Sequence, residues 1–205
     1  MIYSFALNAL LFSGPLQMRH LTACRWALCA PLRLTFLIGL CLTVGCARRP
    51  VLVITVGGLG FSQMGSVRQA IQKQCPQAEV RSAGAWDAYK AELPRMIRDT
   101  PHEHLVLIGH SLGCQTVAEA AGKAPKLDLL VLIEPAWDDI RIPKGVKRCL
   151  WYQRSNFDFV RPAKVHGISP IKINGGHNDV THSSTLISSV VKAINDIEIK
   201  RDRRK

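Results

Sequence analysis

Apolar positions along this chain come in short unbroken runs, most followed by a small-residue turn and then by a stretch with helical spacing. The run 51–56, VLVITV, is continuous and β-branched, the pattern of a strand buried on both faces. It breaks at Gly57-Gly58-Leu59-Gly60-Phe61, after which 66–74 reads as a helix stopped before Pro76. Residues 79–82 are a weaker strand, and 87–99 are amphipathic and helical around Pro94. A second strong strand, 104–109, leads into an Ala-rich helix, 111–122. Strand 127–134, a connection 135–145 with room for one short helical turn, strand 146–153, loop 154–167, strand 169–174, loop 175–179 and a closing helix 183–197 complete the series. Five rounds of alternation predict an α/β fold, a three-layer α/β/α sandwich on a mostly parallel sheet. There is no internal repeat and no low-complexity tract.

The first 46 residues break this pattern. They hold no Asp or Glu, three arginines (Arg19, Arg25, Arg33) and long apolar stretches. Arg33 precedes LTFLIGLCLTVG and then Cys46, an order of charged, apolar and small-residue regions expected of an export signal. Twelve apolar or small residues are short for a membrane span. Leu42-Thr43-Val44-Gly45-Cys46 resembles the bacterial lipobox, with Thr43 standing where an aliphatic residue is commoner. The resemblance implies lipidation at Cys46 and a membrane-anchored protein of the bacterial envelope on its periplasmic side; an uncleaved anchor or a secreted protein is the alternative. Residues 1–17 carry no charge, so Met18-Arg19-His20 makes the better start of a signal. The expected organisation is a signal region 1–46, a tether 47–50, a folded domain 51–199 and a basic tail 200–205.

Charge adds little more. The whole chain is +12; residues 47–205 keep 24 of 27 basic and all 15 acidic residues, which leaves +9, and the tail supplies +4 of it. A terminal basic run suits solvent or anionic lipid headgroups. The remaining basic residues are scattered with few aromatics, which argues against nucleic acid. Four of seven cysteines lie in the signal region; Cys75, Cys114 and Cys149 have no metal-site spacing, so no metal or cofactor is expected. Cys75 and Cys149 could pair in an oxidising compartment.

The candidate chemistry sits in LVLIGHSLGCQTVAEAAG, residues 105–122. Gly109-His110-Ser111-Leu112-Gly113 matches the Gly-x-Ser-x-Gly nucleophile elbow, placed between an apolar strand and a small-residue helix. The chemistry needs a serine on a turn too tight for flanking Cβ atoms, with helix N–H groups aimed at the reacting oxygen. His110 is expected to line the turn.

On these residues, 51–197 resembles the α/β-hydrolase superfamily in a compact, capless form, like small lipases, esterases and thioesterases. The resemblance implies nucleophile, acid and histidine in that chain order. It implies His177 as the base, in Gly175-Gly176-His177 after the last strand, with His182 second. It implies Asp158 as the acid after strand 146–153, or Asp138 or Asp139 one strand earlier; Glu134, at that strand's end, is a further candidate. Asp179 is too close to His177 and reads as a loop or cap residue. The oxyanion hole would use the N–H of Leu112 and that of Leu59 or Gly58. The activity implied is cleavage of carboxylic esters or thioesters of small acyl or lipid substrates at a shallow, open site, with no obligate protein partner. The alternatives are a non-catalytic envelope binding protein of this fold and an acyltransferase using the same elbow.

Overall fold

The computed structural model describes residues 51–59, 64–85, 91–155 and 160–202. The signal region with Met18 and Cys46, the tether, Asp158 and residues 203–205 lie outside them. The described residues fall in one compact unit, Cys46–Lys205.

Six parallel strands form the main sheet: β1 (Val51–Gly57), β2 (Ala78–Ala85), β3 (His104–His110), β4 (Leu129–Ile133), β6 (Cys149–Arg154) and β8 (Ile171–Ile173). Their order is β2-β1-β3-β4-β6-β8. The register sets Val51 beside His104, Val106 beside Leu129, Leu132 beside Trp151 and Tyr152 beside Ile171. Four helices cover it: α1 (Gly65–Gln74), α2 (Glu92–Asp99), α3 (Gly113–Lys123) and α4 (Ser184–Asp202).

The unbroken apolar runs follow from two buried faces. Val51, Val53, Val106, Ile108 and Val131 pack with Val67 and Ile71 of α1 and Leu186, Val190 and Ile194 of α4. The intervening Leu52, Ile54, Leu105, Leu107 and Leu130 pack with Leu93 and Ile97 of α2 and Val117 and Ala121 of α3. With period two along each strand, both parities must be apolar to fill both layers. Tyr152 pins α4 to the sheet, donating its hydroxyl hydrogen to Ser189 Oγ at 2.7 Å.

Of the expected helix 87–99, residues 87–90 lie outside the described residues; helix α2 starts at Glu92, with Pro94 in its first turn, where the missing N–H is not needed. The connection 135–145 holds not a helical turn but a two-residue strand, β5 (Ile140–Arg141), paired in parallel with β7 (Val165–His166) inside the expected loop. Helix α4 runs to Asp202, into the expected tail. Cys75 and Cys149 are not bridged to each other. They belong to opposite faces of the sheet, so a bridge between them is excluded.

Candidate active site

The chain runs from β1 outward to β2 and then returns to β3 on the other side of β1. Loops leaving β1 and β3 therefore diverge, and the crevice between them at the carboxyl ends of the strands is the usual ligand position in open α/β sheets. Gly58 follows β1 and Ser111 follows β3, and they meet there. A Cβ on Gly58 would lie 2.7 Å from Ser111 Cβ and 3.1 Å from its Oγ.

Ser111 adopts φ 55°, the left-handed region that side chains rarely enter. Its N–H donates to Ile133 O at 2.9 Å, so the turn is locked to the end of β4. The flanking glycines are sterically required. A Cβ on Gly109 would come within 2.7 Å of Cys114 Cα, and one on Gly113 within 2.4 Å of Val56 O. Helix α3 begins at Gly113, so Ser111 and Leu112 form the elbow ahead of it. Leu112 thus sits where helix N–H groups lack partners four residues back, next to the serine.

His177 follows β8, as the chain order requires, and lines the same pocket as Ser111. Its neighbours come from two adjacent strand ends. Glu134, the residue after β4, is buried and held at φ 50°. Its Oε2 lies 3.4 Å from His177 Nδ1. Arg154, the last residue of β6, is also buried; its Nη1 lies 2.6 Å from Glu134 Oε2 and 3.0 Å from His177 Nδ1. The Arg154 N–H donates to Glu134 Oε1, and Nη2 donates to Val160 O at 3.0 Å. A buried carboxylate is thereby paired with a cation and hydrogen-bonded, as burial demands.

The carboxylate that the structure sets beside His177 is therefore Glu134. Asp158 lies outside the described residues. Asp138 is exposed, and its carbonyl accepts a hydrogen bond from Gln115 of α3. Asp139 accepts the Lys164 N–H at 3.0 Å and pairs with His166 at 3.3 Å. Asp179 accepts the Gly176 N–H, a local loop bond. His182 Nδ1 lies 2.7 Å from Ser66 Oγ, on α1 and away from the pocket residues. A signal for the Glu134–Arg154 pair was present in the sequence: LLVLIE and LWYQR end adjacent strands on opposite charges.

His110 packs its ring 5.0 Å, centroid to centroid, from that of His177. Its Nε2–H donates to His177 O at 3.0 Å, which fixes the tautomer because a carbonyl only accepts. Burial lowers the His110 pKa to about 4, against the backbone bond, so the ring stays neutral near neutrality. His110 ties the histidine loop to the elbow.

The pocket has a volume of about 490 Å³ and is lined by Gly58, Leu59, His110, Ser111, Trp137, Val160, Arg161, His177 and Asn178. Leu59 is 68% exposed and Trp137 58% exposed. Trp137 has φ 76°, its N–H donating to Arg161 O at 3.2 Å. Ser111, Glu134 and Trp137 are the only non-glycine residues with positive φ among the described residues, and all three stand at this site. Strain of this kind persists where the surroundings enforce it.

No family model and no curated protein matches this chain. Among solved structures, it is similar to one described as a "putative YdeN-like hydrolase" from Pectobacterium atrosepticum SCRI1043, with TM-score 0.50 and 12% identity over 77% of this chain and 97% of that one. The likeness is one of fold.

Proposed function

We propose that the protein is a serine hydrolase that cleaves carboxylic ester or thioester bonds, with Ser111 as nucleophile, His177 as general base and Glu134 as the acid that orients it. The observation that carries this reading is the convergence of three strand ends: a strained serine after β3 and a histidine after β8 that line one pocket, and a strained, buried glutamate after β4, 3.4 Å from that histidine. In the competent tautomer Nδ1–H faces Glu134, which leaves Nε2 to accept the Ser111 proton. The hydroxyl oxygen attacks the carbonyl carbon; the oxyanion is stabilised by the N–H of Leu112 and by that of Gly58 or Leu59. His177 then gives the proton to the leaving group, and water repeats the sequence on the acyl-enzyme.

The open pocket and the short loops around it favour short or surface-presented acyl groups. The apolar run before Cys46 supports placing the enzyme at a bacterial envelope membrane, anchored through lipid on that cysteine.

A second reading, a non-catalytic binding protein of this fold, draws on one contact. Arg154 can only donate; if its Nη1–H occupies Nδ1, the ring proton moves to Nε2 and the base is lost. Hydrolysis of a p-nitrophenyl ester chain-length series decides. Activity on short chains that is lost in Ser111→Ala and falls on the order of 10³-fold in Glu134→Gln, with Asp158→Asn near wild type, supports a triad of Ser111, His177 and Glu134. Dependence on Asp158 instead of Glu134 would refute the assignment of the acid, and inactivity of the folded wild type towards every ester would leave the binding protein.

A further inference from the structure

One part of the pocket lining has a composition of its own. Three segments build it. The segment 135–137 follows Glu134, and 160–163 leads towards β7; they bond to each other through Trp137 N–H to Arg161 O at 3.2 Å and Ala163 N–H to Pro135 O at 2.8 Å, with Ala136 bridged to Pro162. This pairing sets Trp137 and Arg161 together on the pocket with backbone positions fixed. Leu59, from the loop after β1, completes the wall.

Arg161 is exposed, lines the pocket, and among the described residues forms no ion pair. The described lining contains no carboxylate. The carboxylate behind His177, on Glu134, is already paired with Arg154. An exposed arginine without a described ion-pair partner thus lines the same pocket as Ser111, its backbone bonded to that of Trp137, an exposed residue at a backbone angle that tryptophan rarely adopts. Residues 47–205 carry +9, which draws anions towards the domain.

We infer that this pocket selects acyl esters whose acyl chain ends in an anionic group, a carboxylate or phosphate, with Arg161 holding the anion and Trp137 and Leu59 covering the methylene chain between anion and ester. The inference rests on the serine-hydrolase reading and adds the substrate class. Arg161 acts as a specificity residue: the reaction remains attack of Ser111 Oγ on the carbonyl carbon, departure of the alcohol with the proton from His177, and hydrolysis of the acyl-enzyme by water. A planar fork of donors suits the two oxygens of a carboxylate.

The test compares 4-nitrophenyl monoadipate with 4-nitrophenyl hexanoate, which share a six-carbon acyl chain and differ in the terminal charge. The expected result is a kcat/KM ratio of about ten in favour of the adipate at low salt, the factor given by one charge-assisted contact at a wet site. The ratio should shrink in 0.5 M sodium chloride, fall to about one in Arg161→Gln, survive in part in Arg161→Lys and invert in Arg161→Glu. A wild-type ratio near one, or an Arg161→Gln ratio equal to that of wild type, overturns the inference while leaving the hydrolase reading intact. Failure of the hydrolase reading shows differently, as no turnover of either ester. Saturation-transfer NMR of the Ser111→Ala protein with monomethyl adipate and methyl hexanoate then decides alone: Arg161-dependent binding of the adipate supports the anion site, and equal or absent binding overturns it.

Discussion

Three residues carry the strain in the described part of the molecule, and their placement is the most local evidence for chemistry. Left-handed backbone at Ser111, Glu134 and Trp137 costs on the order of 1–3 kcal/mol each, and tertiary bonds enforce it: Ser111 N–H to Ile133, Glu134 N–H to Tyr152, Trp137 N–H to Arg161. Gly58 shows the same constraint from the other side. Gly58→Ala places a methyl group against the serine, so ester hydrolysis should fall at least 10²-fold in protein whose circular dichroism still shows the folded state, with some loss of melting temperature; unchanged turnover would show that the serine does not work in this orientation. His110 gives a pH-dependent prediction. Its pKa lies near 4 in the fold and near 6.5 in the unfolded chain, so its contribution is complete above about 6.5 and is lost as pH falls towards 4. The loss amounts to about 3 kcal/mol, and urea melts at pH 7.5 and 4.5 should show it in wild type and not in His110→Gln.

The carboxylate proposed as the acid was the part of the site least legible in the sequence. An elbow is a local pattern: five residues fix a turn, and the sterics at Gly109 and Gly113 agree with the reason for reading them. The acid is not local. Glu134 meets His177 because the sheet runs β4-β6-β8, and Arg154, at the end of the intervening β6, reaches the same carboxylate. Pair ordering across a sheet is not written in periodicity.

At the level of elements, the strong strands were legible because each fills two apolar layers at once, and the helices because their stripes match those layers. The small sheet of β5 and β7 was not, since two-residue strands carry no period. Its pairing depends on tertiary placement, and it carries the Trp137–Arg161 wall. The β3–α3 junction is closely packed at both of its glycines. Gly113→Ala would put a methyl group 2.4 Å from the Val56 carbonyl oxygen, in backbone that cannot rotate away. We expect it to destabilise the fold by at least about 3 kcal/mol, at the upper end for overpacking, read as a lowered urea midpoint. Gly122→Ala in the same helix, whose Cβ would meet only Pro143 at 3.8 Å, should be neutral or slightly stabilising.

For the whole molecule, two buried ionic clusters stand at opposite ends of the sheet. At the carboxyl ends, Arg154 joins Glu134 and His177. At the amino ends, Asp128 accepts Leu105 N–H at 3.2 Å and Lys147 Nζ–H at 2.5 Å, with His104 at 3.2 Å. Burial alone would raise the Asp128 pKa; the Lys147 bond, the Leu105 N–H and the electrostatic attraction of the neighbouring His104 and Lys147 side chains outweigh it and hold the pKa below the ordinary value. A depressed carboxyl pKa stabilises the fold above about pH 3.9 and stops doing so as pH falls through the lower folded value. Acid unfolding of Asp128→Asn should therefore be less steep below pH 4 than that of wild type. Removing Arg154 alone leaves a buried carboxylate without its cation, so Arg154→Met should cost about 3–5 kcal/mol in chemical denaturation, whereas Glu134→Gln with Arg154→Met together should cost less than the sum.

The account stands on Ser111 being a nucleophile, and a fluorophosphonate probe reads that directly. Intact-mass and peptide analysis of the folded protein after treatment should find one phosphonyl adduct, on the peptide that contains Ser111, absent from Ser111→Ala and strongly slowed in His177→Ala. A folded wild-type protein that acquires no adduct, or acquires it at another residue, contradicts the account.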